Sequence, residues 1–200
     1  MAAIRETIRG LLRRTGFDIV RLARRGNDAF ADMQHFLDGV RHPLVLDVGA
    51  NVGQSVRDFR LAFPGSRIHS FEPSPSTFRK LQANCAGLPH VSLWNVAVGA
   101  RNATLPFLES THSDMSSFLA PSAMAWGAVT HSVDVPVVSV DAFAAEQGID
   151  FVHVLKSDTQ GYDLEVFKGA AALMADNRIG LIHAEFIFSD LYAGQPRFHD

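Results

Sequence analysis

Apolar positions at the start of the chain recur at helical spacing. Ile4, Ile8, Leu11 and Leu12, with Arg5, Arg9, Arg13 and Arg14 between them, predict an amphipathic basic helix ending near Gly16. Phe30, Met33, Phe36 and Leu37 predict a second helix over about 28–40, which His42-Pro43 breaks because proline holds the preceding residue out of the helical region. From residue 44 the period changes. Leu44–Val48, Arg67–Glu72, Val91–Val98, Phe151–Leu155 and Ile179–Phe188 read as strands, separated by helical stretches at Gln54–Phe63, Ser76–Ala86 and Tyr162–Ala175. Near-continuous apolar strands alternating with helices predict a mostly parallel sheet covered on both faces, a doubly wound α/β fold. Two further β-like runs, Ala103–Leu108 and Val133–Val140, predict an antiparallel appendage with the charge-free segment Met115–Ser132 looped between them. The length of that loop and its Phe118, Leu119, Met124 and Trp126 assign it to a substrate pocket. The expected organisation is a helical extension over 1–41 and one domain over 42–200.

In such a sheet, ligands bind beyond the carboxyl ends of the strands, where strand order reverses. The first strand runs into Asp47-Val48-Gly49-Ala50-Asn51-Val52-Gly53, a glycine-containing turn that opens a helix. Gly49 allows close backbone approach to a ligand, Gly53 allows the helix to pack near the strand, and Asn51 tolerates a positive φ. The second strand ends at Glu72, an acid placed to accept both hydroxyls of a ribose. A dinucleotide site seats a pyrophosphate on the helix N-terminus, whereas Asp47 beside the turn repels phosphate and favours a cation. S-adenosylmethionine, with a sulfonium and an ammonium and no phosphate, matches that charge pattern better than NAD.

These residues, with Phe71-Glu72-Pro73, Asn95-Val96-Ala97-Val98-Gly99, the run from Leu155 to Ala170 and the stretch from Glu185 to Gln195, are similar to the FkbM-type family of S-adenosylmethionine-dependent methyltransferases. The resemblance runs from about residue 44 to the end. It implies a class I methyltransferase, Rossmann-like fold and methyl transfer, usually to oxygen, on a small molecule, sugar or lipid. Ser157 departs from it, standing where the family more often has an apolar residue. The chain also ends at Asp200, before the closing antiparallel strand pair the fold normally carries, so the edge of strand Ile179–Phe188 is expected to associate with a second copy or to mark a shortened form.

Site assignments follow by position. Asp47, Gly49, Ala50, Asn51 and Gly53 are assigned to the methionine end of the cofactor, Glu72 to its ribose, and Asn95 to the adenine or ribose or to a satisfied polar place within its strand. Asp158, His183 and Glu185, each near a strand end, are candidate general bases for a hydroxyl acceptor. Those three could also hold Mg²⁺, but strand-end carboxylates more often serve as hydrogen-bond acceptors, and no metal is assigned. His153, inside an apolar strand, reads as a hydrogen-bonded core histidine.

Charge and composition narrow the function further. The net charge of −3 divides into +5 over residues 1–25, with seven arginines, and −8 over the remainder. An acidic body repels a phosphate backbone, which argues against a nucleic-acid substrate. No uninterrupted apolar run long enough to span a bilayer and no secretory signal are read, and the lone Cys85 excludes an intrachain disulfide, so a cytoplasmic location is expected. Two other readings compete with an active O-methyltransferase. One is a non-catalytic or truncated nucleoside-binding module acting through interaction. The other is an NAD(P)-dependent oxidoreductase, disfavoured by Asp47 and by the lack of a Tyr-x-x-x-Lys pair.

Overall fold

The computed structural model describes residue 26 and residues 28–197; the arginine-rich helix expected over residues 4–16 lies outside them. Five parallel strands form the main sheet: β1 (Leu44–Val48), β2 (Arg67–Phe71), β3 (Val91–Trp94), β7 (Val152–Ser157) and β8 (Ile179–Ala184). Their order is β3-β2-β1-β7-β8, so the direction of winding reverses between β1 and β7. That reversal is where an open α/β sheet leaves a crevice for ligand.

Helices cover both faces, as the apolar strands require. On one face α1 (Ala29–Phe36), α2 (Gln54–Ala62) and α3 (Pro75–Cys85) contribute to a core of Met33, Val45, Val56, Phe59, Ile68, Leu81 and Val154. On the other, α4 (Val140–Glu146), α5 (Asp163–Lys168) and α6 (Ala171–Ala175) pack around Leu44, Leu46, Val48, Phe71, Phe143, Leu155 and Val166. Residues of β1 alternate between the two clusters because successive side chains of a strand point to opposite faces. Asp28 caps α1, accepting the backbone N–H groups of Phe30 and Ala31.

A second, three-stranded sheet is inserted between β3 and β7, in the order β4-β6-β5, from β4 (Ala97–Val98), β5 (Ala103–Ser110) and β6 (Val129–Val138). The expected antiparallel pair is present as β5 and β6, with β4 added in parallel to β6. The single strand expected over Val91–Val98 is therefore two, and Asn95 lies in the gap between them rather than within a strand. The helix expected over Tyr162–Ala175 is also two. A Cβ on Gly169 would lie 2.1 Å from the Gly99 carbonyl oxygen, and the Asp141 carboxylate accepts the N–H groups of Ala172 and Leu173 at the start of α6. The strand expected to reach Phe188 ends at Ala184, and the chain beyond it turns away. It pairs with the loop between β5 and β6: Pro121 bridges Tyr192, the Ser122 N–H donates to the Leu191 carbonyl, and the Ala193 N–H donates to the Ala120 carbonyl.

Candidate active site

Register places a polar row across the C-terminal end of the main sheet. Ser70, Asp47, Lys156 and His183 are successive partners on β2, β1, β7 and β8. Asp47 is 0% exposed and accepts hydrogen bonds from Ser55 Oγ (2.8 Å) and Ser70 Oγ (3.1 Å). Its Oδ1 lies 3.3 Å from Lys156 Nζ, which also donates to the Gly49 carbonyl (2.9 Å) and lies 3.6 Å from Asp158 Oδ2. Burial opposes the charge on Lys156, but Asp47 and Asp158 outweigh it and hold the ammonium above its ordinary pKa. Asp47 is thus a buried, paired strut beneath the glycine turn and does not face the cavity, contrary to the reading of its charge as ligand-facing.

The turn itself is fixed by its own backbone. Gly49 has φ 76°, and a Cβ there would lie 2.0 Å from the Asp158 carbonyl oxygen, so glycine is required by the crossing of two strand ends. The N–H groups of Gly49 and Ala50 both donate to the Phe71 carbonyl, that of Asn51 to Glu72 Oε2 (3.0 Å), and that of Gly53 to the Ala50 carbonyl. Those four N–H groups are engaged inside the protein, whereas α2 opens without a side-chain cap on its first-turn N–H groups. Asn51 takes the positive φ expected of it (47°). Gly53 precedes α2, and a Cβ there would lie 2.9 Å from Cys85 Sγ and 3.0 Å from Leu81 Cδ1; the close approach is to α3, not to the strand.

Glu72 is buried at the end of β2, where its carboxylate accepts the backbone N–H groups of Asn51 and Ser74 (both 3.0 Å). Burial pushes its pKa up to about 7 against those two hydrogen bonds, and Glu109 from the inserted sheet adds to the rise. Ser74 Oγ bridges the two acids' surroundings, donating to Glu109 Oε1 while accepting the Thr77 N–H at the start of α3. Asn95 supports this corner from behind: its amide donates to the carbonyls of Glu72 (2.8 Å) and Pro73 (3.0 Å).

Two clefts flank the glycine turn. One, of about 350 Å³, is lined by Gly49, Ala50, Asn51, Ser55, Asp58, Asp114, Lys156, Asp158 and His183, with Phe30 of α1 as an apolar wall. Since the Lys156 charge is met by Asp47, the carboxylates of Asp58, Asp114 and Asp158 leave this cleft net negative. The other, of about 390 Å³, is polar and runs from Asn51 and Ser74 to Glu109 and the segment 110–116. Between them Phe71, Pro73 and Val96 face Phe107 and Phe118 of the insertion across an apolar slot of about 40 Å³. Buried side-chain atoms without a partner gather here: Asn51 Oδ1, Thr159 Oγ1 and His183 Nδ1 belong to residues that line these spaces. Buried polar groups are ordinarily hydrogen-bonded, so these three are exceptions beside the turn, as are Asp47 Oδ1, which has its ion pair with Lys156, and Ser66 Oγ elsewhere.

The candidate bases line two cavities, although the carboxyl groups of Asp158 and Glu185 lie within hydrogen-bonding reach of each other. Asp158 and His183 line the acidic cleft, whereas Glu185, one residue beyond the end of β8, lines an apolar cavity of about 250 Å³ with Leu164, Phe167 and Ile187. The alternation that would place His183 and Glu185 on one face stops with the strand. Gln160 joins the two places through its amide, to Asp158 Oδ1 (3.0 Å) and Glu185 Oε2 (3.4 Å). Burial, then Lys156, lowers the pKa of His183; burial, then Asp158, raises that of Glu185. Asp158 does not cap α5, whose N-cap residue Tyr162 makes no side-chain bond. No group of three or more metal-ligating His, Cys, Asp or Glu side chains occurs among the described residues. His153 behaves as a core histidine, accepting the Leu44 N–H at 3.1 Å.

Lys156 and Gln160 are the site residues that sequence positions alone do not single out. A lysine inside the apolar run Phe151–Ser157 is the available signal for the first; nothing local marks the second.

The match to known proteins agrees with this geometry. Residues 47–200 match the model of the methyltransferase FkbM domain. The chain is similar to the 2-O-methyltransferase NoeI of Sinorhizobium fredii (26% identical over 164 residues, 76% of this chain and 67% of that protein). It is also similar to the 31-O-demethyl-FK506 methyltransferase FkbM of Streptomyces tacrolimicus (26% over 171 residues, 71% of this chain and 66% of that protein). A third relative, methyltransferase 1 of Beauveria bassiana, is 26% identical over 142 residues, 62% of this chain and 57% of that protein. The matched stretches thus span about two thirds or less of those relatives. Since the family match covers most of the chain, from Asp47 at the glycine turn onward, and the parallel sheet carries that turn at its point of reversal, the chain belongs to the FkbM methyltransferase domain family.

Proposed function

We propose that the protein transfers a methyl group from S-adenosylmethionine to a hydroxyl of a small-molecule, sugar or lipid acceptor. The observation that carries this reading is the cleft at the glycine turn, which the carboxylates of Asp58, Asp114 and Asp158 make net negative among the described residues. Such a cleft suits a cationic, phosphate-free nucleoside. Two of the relatives bear names that specify O-methyl transfer, which supports oxygen as the atom methylated.

The ribose hydroxyls are assigned to Glu72: it lines none of the described cavities and is held by the N–H groups of Asn51 and Ser74, but its carboxylate oxygens keep further lone pairs, and Asn51 and Ser74 line the polar cleft beside it. Asp58, Asp114 and Asp158 offset positive charge in the cleft. S-adenosylmethionine, when bound, supplies an electrophilic methyl group on a sulfonium. The chain's own task is to align the acceptor and take its proton. Asp158 and Glu185 are the acceptors for that proton, linked through the Gln160 amide, and burial gives Glu185 the raised basicity that proton abstraction needs. His183 lines the same cleft, with burial lowering its pKa.

The test is release of S-adenosylhomocysteine from S-adenosylmethionine by the purified chain with hydroxyl acceptors of the three classes. Methyl ether products with Asp158→Asn slowed about 100-fold or more support the reading. A chain that binds S-adenosylmethionine yet methylates amines or carbons while sparing hydroxyls overturns the O-methyl assignment.

A further inference from the structure

Gln160 is clamped from every side. It adopts φ 54°, in the left-handed region that a residue with a Cβ enters only when its surroundings hold it there. Ser117 Oγ, from the loop after β5, donates to its backbone carbonyl at 2.8 Å. Tyr192, 2% exposed, donates its hydroxyl to the side-chain Oε1 at 3.0 Å; the Met115 carbonyl, a second oxygen within reach of that hydroxyl, is farther away at 3.4 Å. Burial pushes the Tyr192 hydroxyl up to about 12, so it remains a donor over the physiological range. A donor on Oε1 settles the orientation of the amide, because a carbonyl oxygen facing a carboxylate is repelled whereas the NH₂ group can donate to it. The two N–H bonds of that NH₂ group then meet two carboxylates, Asp158 Oδ1 at 3.0 Å and Glu185 Oε2 at 3.4 Å.

We propose that Gln160 is the positioning residue of the Asp158–Glu185 pair and that Tyr192, through its hydroxyl, sets the direction of the Gln160 amide. The proposal deepens the reading above and rests on it: without Asp158 and Glu185 serving the acceptor hydroxyl, the bridge positions nothing. The titratable and charged groups around the pair are Lys156 from β7, His183 from β8, Asp163 from α5, Asp58 and Asp114 in the cleft with Asp158, and Arg197 in the cavity beside Glu185. Among these neighbours and Gln160, it is Gln160 that donates to both carboxylates. Because Tyr192 belongs to the segment zipped to the loop over residues 117–125, the same bridge ties the carboxylates to the cover above them.

The experiment is a pH titration of the full chain with ¹³C-labelled Asp and Glu, reading the carboxyl carbons of Asp158 and Glu185 in the wild type and in three variants. Gln160→Leu is expected to move the Glu185 midpoint upward by about one unit, the loss of one charge-assisted hydrogen bond. Tyr192→Phe, which keeps the ring, is expected to move it the same way by less. Gln160→Glu is expected to move it furthest and to give a second, coupled step as three carboxylates share the space. An unchanged Glu185 midpoint in folded Gln160→Leu and Tyr192→Phe overturns the proposal. Should Gln160→Leu fail to fold, Tyr192→Phe decides alone. Calorimetry with S-adenosylmethionine on the wild type is run beside it: absence of binding there refutes the cofactor reading and leaves the titration result standing.

Discussion

Asp47 shows what a single residue's position conceals. An acid just before a glycine turn reads as a ligand contact, yet its charge is met by Lys156, more than a hundred positions away, at 3.3 Å. Only the register of β1 on β7 brings them together. Lys156→Met leaves the buried Asp47 carboxylate with hydroxyl partners alone, and we expect a loss of about 3–5 kcal/mol in urea unfolding at neutral pH. Adding Asp47→Asn is expected to recover part of that loss; a single variant as stable as the wild type would remove the strut. Glu72 is legible in the sequence as an acid at a strand end, but its titration is not, because that depends on burial. Unfolded, it ionises near 4.5; folded, at about 7. Between those values the folded chain keeps a proton the unfolded chain has lost, so this group's contribution to stability is complete below about pH 4.5 and falls as pH rises through 7. Relative to Glu72→Gln, the wild type is expected to lose about 2.5 kcal/mol between pH 5 and 8 in paired unfolding curves. Parallel curves across that range would place Glu72 in a more solvated setting.

At the scale of elements, the strands and helices of the main sheet are legible from period alone, since apolar β1 and the helix opened by Gly53 carry strong local signals. The pattern fails where tertiary contacts interrupt it. Asn95 sits in a break because its amide is drawn to the Glu72–Pro73 corner, and the helix after Tyr162 divides because Gly169 packs on the Gly99 carbonyl and Asp141 caps α6. Asp141→Ala removes that capping carboxylate and is expected to cost about 1–2 kcal/mol, read as a lower denaturant midpoint with unchanged slope. The charge-free loop is tied to the segment carrying Tyr192, a partner that lies some seventy positions further along the chain and leaves no local signal. For the adenine of the proposed cofactor to enter the slot between Pro73 and Phe118, that space of about 40 Å³ must widen, and in that case the inserted sheet and its loop are the parts that respond to cofactor. Hydrogen exchange over residues 107–128 is expected to change on adding S-adenosylmethionine while β1 and β7 stay protected. Identical exchange with and without cofactor would fix that slot as closed core.

For the whole molecule, the doubly wound topology decides where chemistry occurs. Reversal of strand order between β1 and β7 opens the crevice, the glycine turn and Asp158 cross at its floor, and the inserted sheet supplies Glu109 and the cover. The acidic balance of residues 26–200, −8 by formal charge, is expressed locally in the carboxylates of the cleft, a setting unfavourable to phosphate. Among the described residues no helix is long and apolar enough to cross a membrane. The choice between a methyl donor and a dinucleotide is settled most directly by calorimetric titration of S-adenosylmethionine and, separately, NAD into the wild type and Glu72→Ala. Saturable heat with S-adenosylmethionine, none with NAD, and binding weakened by about 1.5–3 kcal/mol in Glu72→Ala are expected. Equal binding of NAD, or undiminished affinity in a folded Glu72→Ala chain, would contradict the assignment of this cleft to S-adenosylmethionine.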